Sequence, residues 1–188
     1  MGDIYILMLA ALTVLAVIDL VVGVSNDAVN FLNSAIGSKA IPVKWILIIA
    51  SAGVAIGAIT SSGMMEVARK GIFNPGEFYF NEIMFIFMAV MITDILLLDV
   101  FNSLGMPTST TVSIVFELLG AAVAIALIKI SNSDTETISN LGKYINSDSA
   151  LLIISGILLS VFIAFSIGAL VQFLSRLLYS FHFEQSKT

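Results

Sequence analysis

Residues 4–22 form an almost wholly apolar run, long enough to cross a bilayer, and they lead straight into a stretch that lipid cannot accept. Ser25, Asn26, Asp27, Asn30, Asn33, Ser34 and Ser38 all fall within residues 23–40, interleaved with Ala, Val, Phe, Leu and Ile. On a helix, Asn26, Asn30, Asn33, Ser34 and Gly37 recur at spacings of three and four and share one face. Ala28, Val29, Phe31, Leu32 and Ile36 make the opposite face apolar. Hydrocarbon offers no hydrogen bonds, so such a stripe must point at protein, water or a polar ligand. Polar groups at membrane depth are candidates for a functional site.

Composition agrees with that reading. The chain is 59% hydrophobic and 11% charged, whereas a soluble domain carries about a quarter charged residues. An integral membrane protein is expected, in the plasma (inner) membrane. Cysteine is absent and the single histidine, His182, lies in the polar tail, which removes thiolate, zinc-site and Ser-His-Asp chemistry. No enzyme activity and no cofactor are predicted. A net charge of -5 argues against nucleic-acid binding, which wants a basic face. The acidic start and long apolar run make residues 4–22 a permanent span rather than a cleaved signal.

The hydropathy pattern predicts an all-α polytopic membrane protein, a helical bundle with broken or re-entrant helices. Its spans fall near 4–22, 45–66, 83–100 and 114–130, with a polar-striped helix over 25–39 and a hairpin loop over 101–113. Together these make a unit over 1–130, followed by a polar loop (131–149), a final transmembrane helix (150–175) and a polar tail (176–188). Gly53, Gly57 and Ser61 sit four apart in the second span, and Gly156, Ser160, Ala164 and Gly168 in the last. Such spacing lets helix backbones approach closely in lipid. Lys39 and Lys44 oppose Arg69 and Lys70 across the membrane, and the N-terminus is read as outside.

The second stretch that does not belong in lipid is 101–113. Gly105 permits a turn, Pro107 suits the first position of a new helix, and Thr108, Ser109, Thr110 and Thr111 then fall in its first turn. Unpaired backbone N–H groups and the positive end of the helix dipole gather there too, which suits an oxyanion. A single Ser or Thr cap is ordinary, but four consecutive hydroxyl residues between two apolar runs are not. No Lys or Arg lies between Lys70 and Lys129. Asp27, with Asn26 and Asn30, offers hard oxygen ligands to a small cation, or a carboxylate to a proton. Placing that cation beside a multiply charged anion lowers the cost of bringing the anion into the membrane. Among the other intramembrane acids, Asp19 and Asp99 are expected to be solvated at span ends. Asp94 and Glu117 are candidates to support the site from behind, as Asn33 and Ser34 are, to carry protons, or to sit as buried neutral acids.

These residues resemble a known family. Gly-x-Ser-Asn-Asp-Ala-x-Asn at 23–30, closed by Gly37 and Ser38, resembles the GANDVAN signature of the PiT inorganic phosphate transporters. Gly105 to Thr111 resembles that family's GLPVSTT loop, and Glu66, Arg69, Lys70 and Gly71 its E-x-x-RKG segment. The resemblance implies symport of inorganic phosphate with sodium or protons, through inverted repeats that meet at a midplane site. Carried over by position, it implies that Thr108, Ser109, Thr110, Thr111 and Asn30 hold phosphate, while Asp27 and Asn26 hold the cation, with sodium on Asp27. Val112 stands where the family commonly has His, and Gly53 where it has a glutamate, whose coupling role is then absent or moved to Glu117. Family members carry each signature twice and this chain carries each once. It therefore corresponds to one half of an inverted-repeat transporter, with a second copy (a homodimer) or a missing C-terminal half as its partner. The alternative is a truncated, non-transporting subunit that packs against a full-length carrier. An intramembrane aspartyl protease lacks its Gly-x-Gly-Asp context here, and a channel would use the same site without alternating access.

Overall fold

A computed structural model describes residues 2–60, 71–106, 108–133 and 135–181. They form α1 (Gly2–Ser38), α2 (Val43–Thr60), α3 (Phe80–Leu104), α4 (Thr110–Ser131), the four-residue α5 (Leu141–Tyr144) and α6 (Ser147–Phe181), with 3-10 turns at Pro75–Glu77 and Ile138–Asn140. Five of these helices are long and apolar enough to cross a membrane. The chain is an all-α, polytopic integral membrane protein. Ser61, Glu66, Arg69, Lys70, Pro107 and His182 lie outside the described residues.

The first span and the polar-striped helix are one continuous helix of 37 residues, with no break near Gly23. Nothing in the sequence interrupts the ladder. Proline is absent from the stretch, and Ser25 Oγ returns to Val21 O at 2.8 Å rather than competing for backbone elsewhere. At about 1.5 Å per residue α1 is roughly 55 Å long, well beyond a hydrocarbon core of about 30 Å. The polar stripe therefore rides on the continuation of the span itself.

The chain divides into two compact units, Met1–Ser147 and Asp148–Thr188. In the first, α1 and α3 run parallel. Tyr5 meets Phe80 edge-to-face at 5.6 Å, Gly23 lies beside Leu98, and Asn26 meets Asn102, so residue numbers rise together along both helices. Helix α4 returns antiparallel to α3 and brings Lys129 back to Glu82. The core between them is built from Ile86, Val90 and Leu98 of α3 and Leu118, Ala122 and Ala126 of α4. Their spacing of four places them on one stripe of each helix. Asp94 occupies a step of that same stripe, between Val90 and Leu98, and is 2% exposed. Ile46 of α2 and Leu32 of α1 are buried in a shared apolar groove. On the small face of α2, no atom of the described residues comes within 4 Å of a Cβ built on Gly53 or Gly57.

At the other end of α3 and α4 two loops close over the helices. Phe73, Phe78 and Tyr144 pack edge-to-face. Asn74 N donates to Tyr144 O at 2.8 Å, and Asn146 N to Ile72 O at 3.0 Å. The stretch read as a plain polar loop, 131–149, thus contains a buried tyrosine. Lys129 is the centre of this end: Nζ donates to Glu77 O at 2.8 Å and to Glu82 Oε2 at 3.0 Å, and lies 4.3 Å from the Tyr79 ring centroid.

Helix α6 has 35 residues with Asp148 in its first turn, where a negative charge favours the dipole. Three of its hydroxyls bond within their own helix: Ser155 Oγ to Leu152 O, Ser160 Oγ to Ile157 O and Ser166 Oγ to Phe162 O. Hydroxyls spent this way make no demand on a partner. In the first unit Thr110 instead reaches across to another helix.

Candidate functional site

The site is assembled where α3 ends and α4 begins. Gly105 closes α3 at φ +67°, a left-handed conformation that glycine adopts without the Cβ penalty. The backbone N–H groups of Gly105 and Met106 fold back onto Asn102 O and Phe101 O at 3.1 and 3.0 Å. Helix α4 starts later than the expected first position at Pro107. Ser109 is extended (φ -98°, ψ 112°) and its Oγ accepts from Val112 N at 3.4 Å. A serine in that conformation satisfies one orphan N–H of the new helix, which fixes the start one residue on. Thr110 and Thr111 stand in the first turn, and Thr108 lies in the connection.

The polar stripe of α1 meets this turn at three points. Asn26 Nδ2 donates to Asn102 Oδ1 at 2.9 Å. Thr110 Oγ1 lies 3.2 and 3.1 Å from Asp27 Oδ1 and Oδ2, to which it donates. Asn30 Nδ2 donates to Thr108 O at 3.1 Å. Asn26 is fully buried, and its Oδ1 has no hydrogen-bond partner. Gly23 lies against this junction, where a Cβ would come within ordinary contact of Thr110 Cγ2, at 3.7 Å.

The two stretches singled out in sequence therefore come together, and Asn26, Asp27, Asn30, Thr108 and Thr110 form one cluster. Ser109 and Thr111 belong to the same turn; Ser109 is exposed and spent on its own helix. Asn33 and Ser34 are exposed, a turn beyond Asn30, and do not join it. Asp94 and Glu117 do not back the site directly. They meet Asp19 about two turns further into the helices, near 10 Å along the axis at 1.5 Å per residue. Asp19 is thus not a solvated span end: its carboxyl faces Asp94 within hydrogen-bonding reach, and its Oδ1 is buried. Asp99 is exposed. Sequence reasoning missed the pairing of Asn102 with Asn26. The signal was present, since Asp94, Leu98 and Asn102 recur every fourth position on α3, as Asp19, Gly23, Asn26 and Asn30 do at four, three and four on α1.

Among the described residues, no group of three acidic or histidine side chains is arranged to ligate a metal. Outside the spans, Lys143 and Tyr144 hold their protons more tightly than usual. The carboxylate of Glu77 hydrogen-bonds the Lys143 ammonium, and that of Glu136 accepts from the Tyr144 hydroxyl at 2.6 Å.

Apolar helices that bring amides, hydroxyls and a carboxylate together at a helix start define a membrane protein with a polar cluster among its spans. The sequence pattern of the Phosphate transporter family matches residues 23–187, and the chain belongs to that family. A Helicobacter pylori (strain J99) protein carrying the name "Putative phosphate permease" is 34% identical over 104 residues, which is 54% of this chain and 20% of that protein. A Pyrococcus furiosus protein of the same descriptive name is 31% identical over 112 residues, 58% of this chain and 27% of that protein. The chain matches well under two thirds of the length of either relative. No solved structure matches it.

Proposed function

We propose that this chain is one half of a carrier that moves inorganic phosphate across a membrane together with a cation, sodium or a proton. One observation carries the reading: Asp27 and Asn30 of α1 bond the Thr108–Thr110 turn at the start of α4, beside Asn26, which bonds Asn102 at the end of α3. The family and the names of the relatives support phosphate as the solute.

The chemistry divides between the two sides. The hydroxyls of Thr108, Ser109, Thr110 and Thr111, the free N–H groups of the first turn of α4 and the Asn30 amide suit phosphate oxygens. Asp27 and the unpartnered Oδ1 of Asn26 suit a cation. With Thr110 given to Asp27, the carboxylate itself occupies the positive end of α4. A phosphate reaching Thr110 must take that hydroxyl from Asp27, and two anions side by side demand a cation between them. The described parts of α1, α3 and α4 offer no basic side chain near the site, and an ion that enters with the substrate would supply that charge. This is the physical basis for coupling.

Asn30, Asn33, Ser34 and Ser109 lie on exposed surfaces. A facing half, either a second copy or a further chain segment, would cover them, as inverted repeats do around a shared site. The deciding experiment is radiolabelled phosphate uptake into proteoliposomes containing the purified chain, with and without sodium and pH gradients. Saturable, gradient-driven uptake supports the carrier. Uptake that appears only when a full-length family member is co-reconstituted supports instead a non-transporting subunit.

A further inference from the structure

We infer that the carboxyl groups of Asp19, Asp94 and Glu117 form a proton-binding site inside the first helical unit, and that this proton is the ion moved with phosphate. The second half of the inference rests on the carrier reading above.

The three acids come from three helices. Asp94 of α3 sits on the core stripe and is 2% exposed. Asp19 of α1 lies within hydrogen-bonding reach of it. Glu117 of α4 faces both, and its Oε1 accepts from Ser113 Oγ at 2.8 Å. Among the described residues, one oxygen of each acid is buried with no donor: Asp19 Oδ1, Asp94 Oδ1 and Glu117 Oε2. An ionised carboxylate only accepts, so Asp19 and Asp94 can bond to each other only through a shared proton. Like charges in contact, out of water, cannot all be ionised. A proton between them turns one orphan oxygen into a donor and satisfies the other.

No side-chain cation competes for this role among the described residues. Helix α1 presents only Asp19 here, with Asp27 two turns on and tied to Thr110. Helix α3 adds only Asp99, which is exposed, and α4 only Glu117. Lys44 of α2 is exposed. Lys129 is more than three turns along α4 and is bound to Glu82. Among the described residues no group of three such side chains is arranged to ligate a metal ion, and the contact between Asp19 and Asp94 is of the kind that a shared proton satisfies.

Protonated, the triad carries one negative charge less and can stay closed. Losing the proton leaves adjacent buried anions, so release needs water and hence a separation of α1, α3 and α4. Those same helices carry Asn26, Asp27 and Thr110, and a movement that wets one site acts on the other.

The test uses the full chain reconstituted in sodium-free liposomes. Infrared difference spectra at neutral pH should show the carbonyl stretch of a protonated carboxylic acid, lost in Asp94→Asn and lost or shifted in Asp19→Asn and Glu117→Gln. Wild-type chain without that band at neutral pH overturns the inference whatever its transport activity. An imposed pH gradient should drive phosphate inward, with acid disappearing from the outside medium, and Asp94→Asn should abolish both. If the band is present but uptake follows sodium and ignores the pH gradient, the coupling role is overturned while symport stands. If no gradient drives uptake, the carrier reading itself fails, and the band alone decides whether the triad binds a proton.

Discussion

The hydroxyl of Thr110 lies 3.2 and 3.1 Å from the two carboxylate oxygens of Asp27, residues 83 positions apart in the chain. This bond joins the two polar interruptions of an otherwise apolar unit. It also places a carboxylate at the start of α4, where the helix dipole favours negative charge. The residue proposed to hold the cation thus rests on a group proposed to hold the anion.

Thr110→Val keeps the shape and removes the donor, leaving a part-buried carboxylate unpaired at a cost of about 1–3 kcal/mol. Asp27→Asn keeps an acceptor for Thr110 and removes the charge, so it should cost less stability while abolishing cation dependence of phosphate binding or uptake. Ser109→Ala combined with Thr110→Ala should weaken phosphate affinity. Thermal unfolding in detergent and tracer binding measure the two effects separately. Unchanged cation dependence in Asp27→Asn, together with unchanged affinity in the double alanine variant, would remove the assignment.

Gly23 lies where α1 packs against Leu98 of α3 and Thr110 of α4. A Cβ there would lie 3.7 Å from Thr110 Cγ2 and 3.8 Å from Leu98 Cδ1, which is ordinary contact. Gly23→Ala should therefore be accepted, and can gain up to about 1 kcal/mol from helix propensity. Gly23→Leu must push Thr110 away from Asp27, so it should lower both melting temperature and phosphate affinity. A leucine variant that behaves like wild type would show that the helices do not meet here.

Lys129→Met retains the aliphatic stem and deletes the charge that holds Glu77 O, Glu82 and the Tyr79 ring. Glu82 then keeps the Tyr79 N–H, at 2.7 Å, and loses its cation. The expected loss is about 1–3 kcal/mol, since a half-buried charge is left unpaired. Limited proteolysis should cut residues 131–146 faster than in the wild type. Adding Glu82→Gln should recover part of the stability, because the uncompensated carboxylate is gone.

The membrane class and the number of spans were legible because hydropathy is a long-range average over some twenty residues, insensitive to any one side chain. The two polar stretches that meet in the candidate site were legible because Asn26, Asp27 and Thr108–Thr111 stand in runs where polar residues are expensive. Local geometry decided the rest. Whether α1 breaks at Gly23 turns on a hydroxyl that folds back to Val21 O, and whether α4 starts at 107 or 110 turns on Ser109 reaching Val112 N. Asp19 looked like a span end because its helix was read as ending three residues later; once α1 continues, the same residue is interior and meets Asp94. Tyr144 was hidden in a run of polar loop residues, and only the fold of 72–78 against it explains its burial.

The last prediction concerns that tyrosine. Its hydroxyl donates to Glu136 Oε2 at 2.6 Å, and the resident negative charge raises its pKa above the ordinary 10.0. Lys143, bonded to Glu77, is likewise raised above 10.5. In both cases the folded state binds the proton more tightly than the unfolded chain does. The stabilisation is then fully present below the unfolded values, and it is lost as pH rises through the raised folded values. The loops over the Lys129 end should accordingly hold through neutral and mildly alkaline pH and loosen only above about 10. Ultraviolet titration of tyrosinate should show a late step from Tyr144, and Tyr144→Phe should remove it. Glu136→Gln keeps an acceptor and deletes the charge, so it should bring the late step back towards the others. A wild-type titration in which all four tyrosines ionise together would mean the Tyr144–Glu136 bond does not persist in solution.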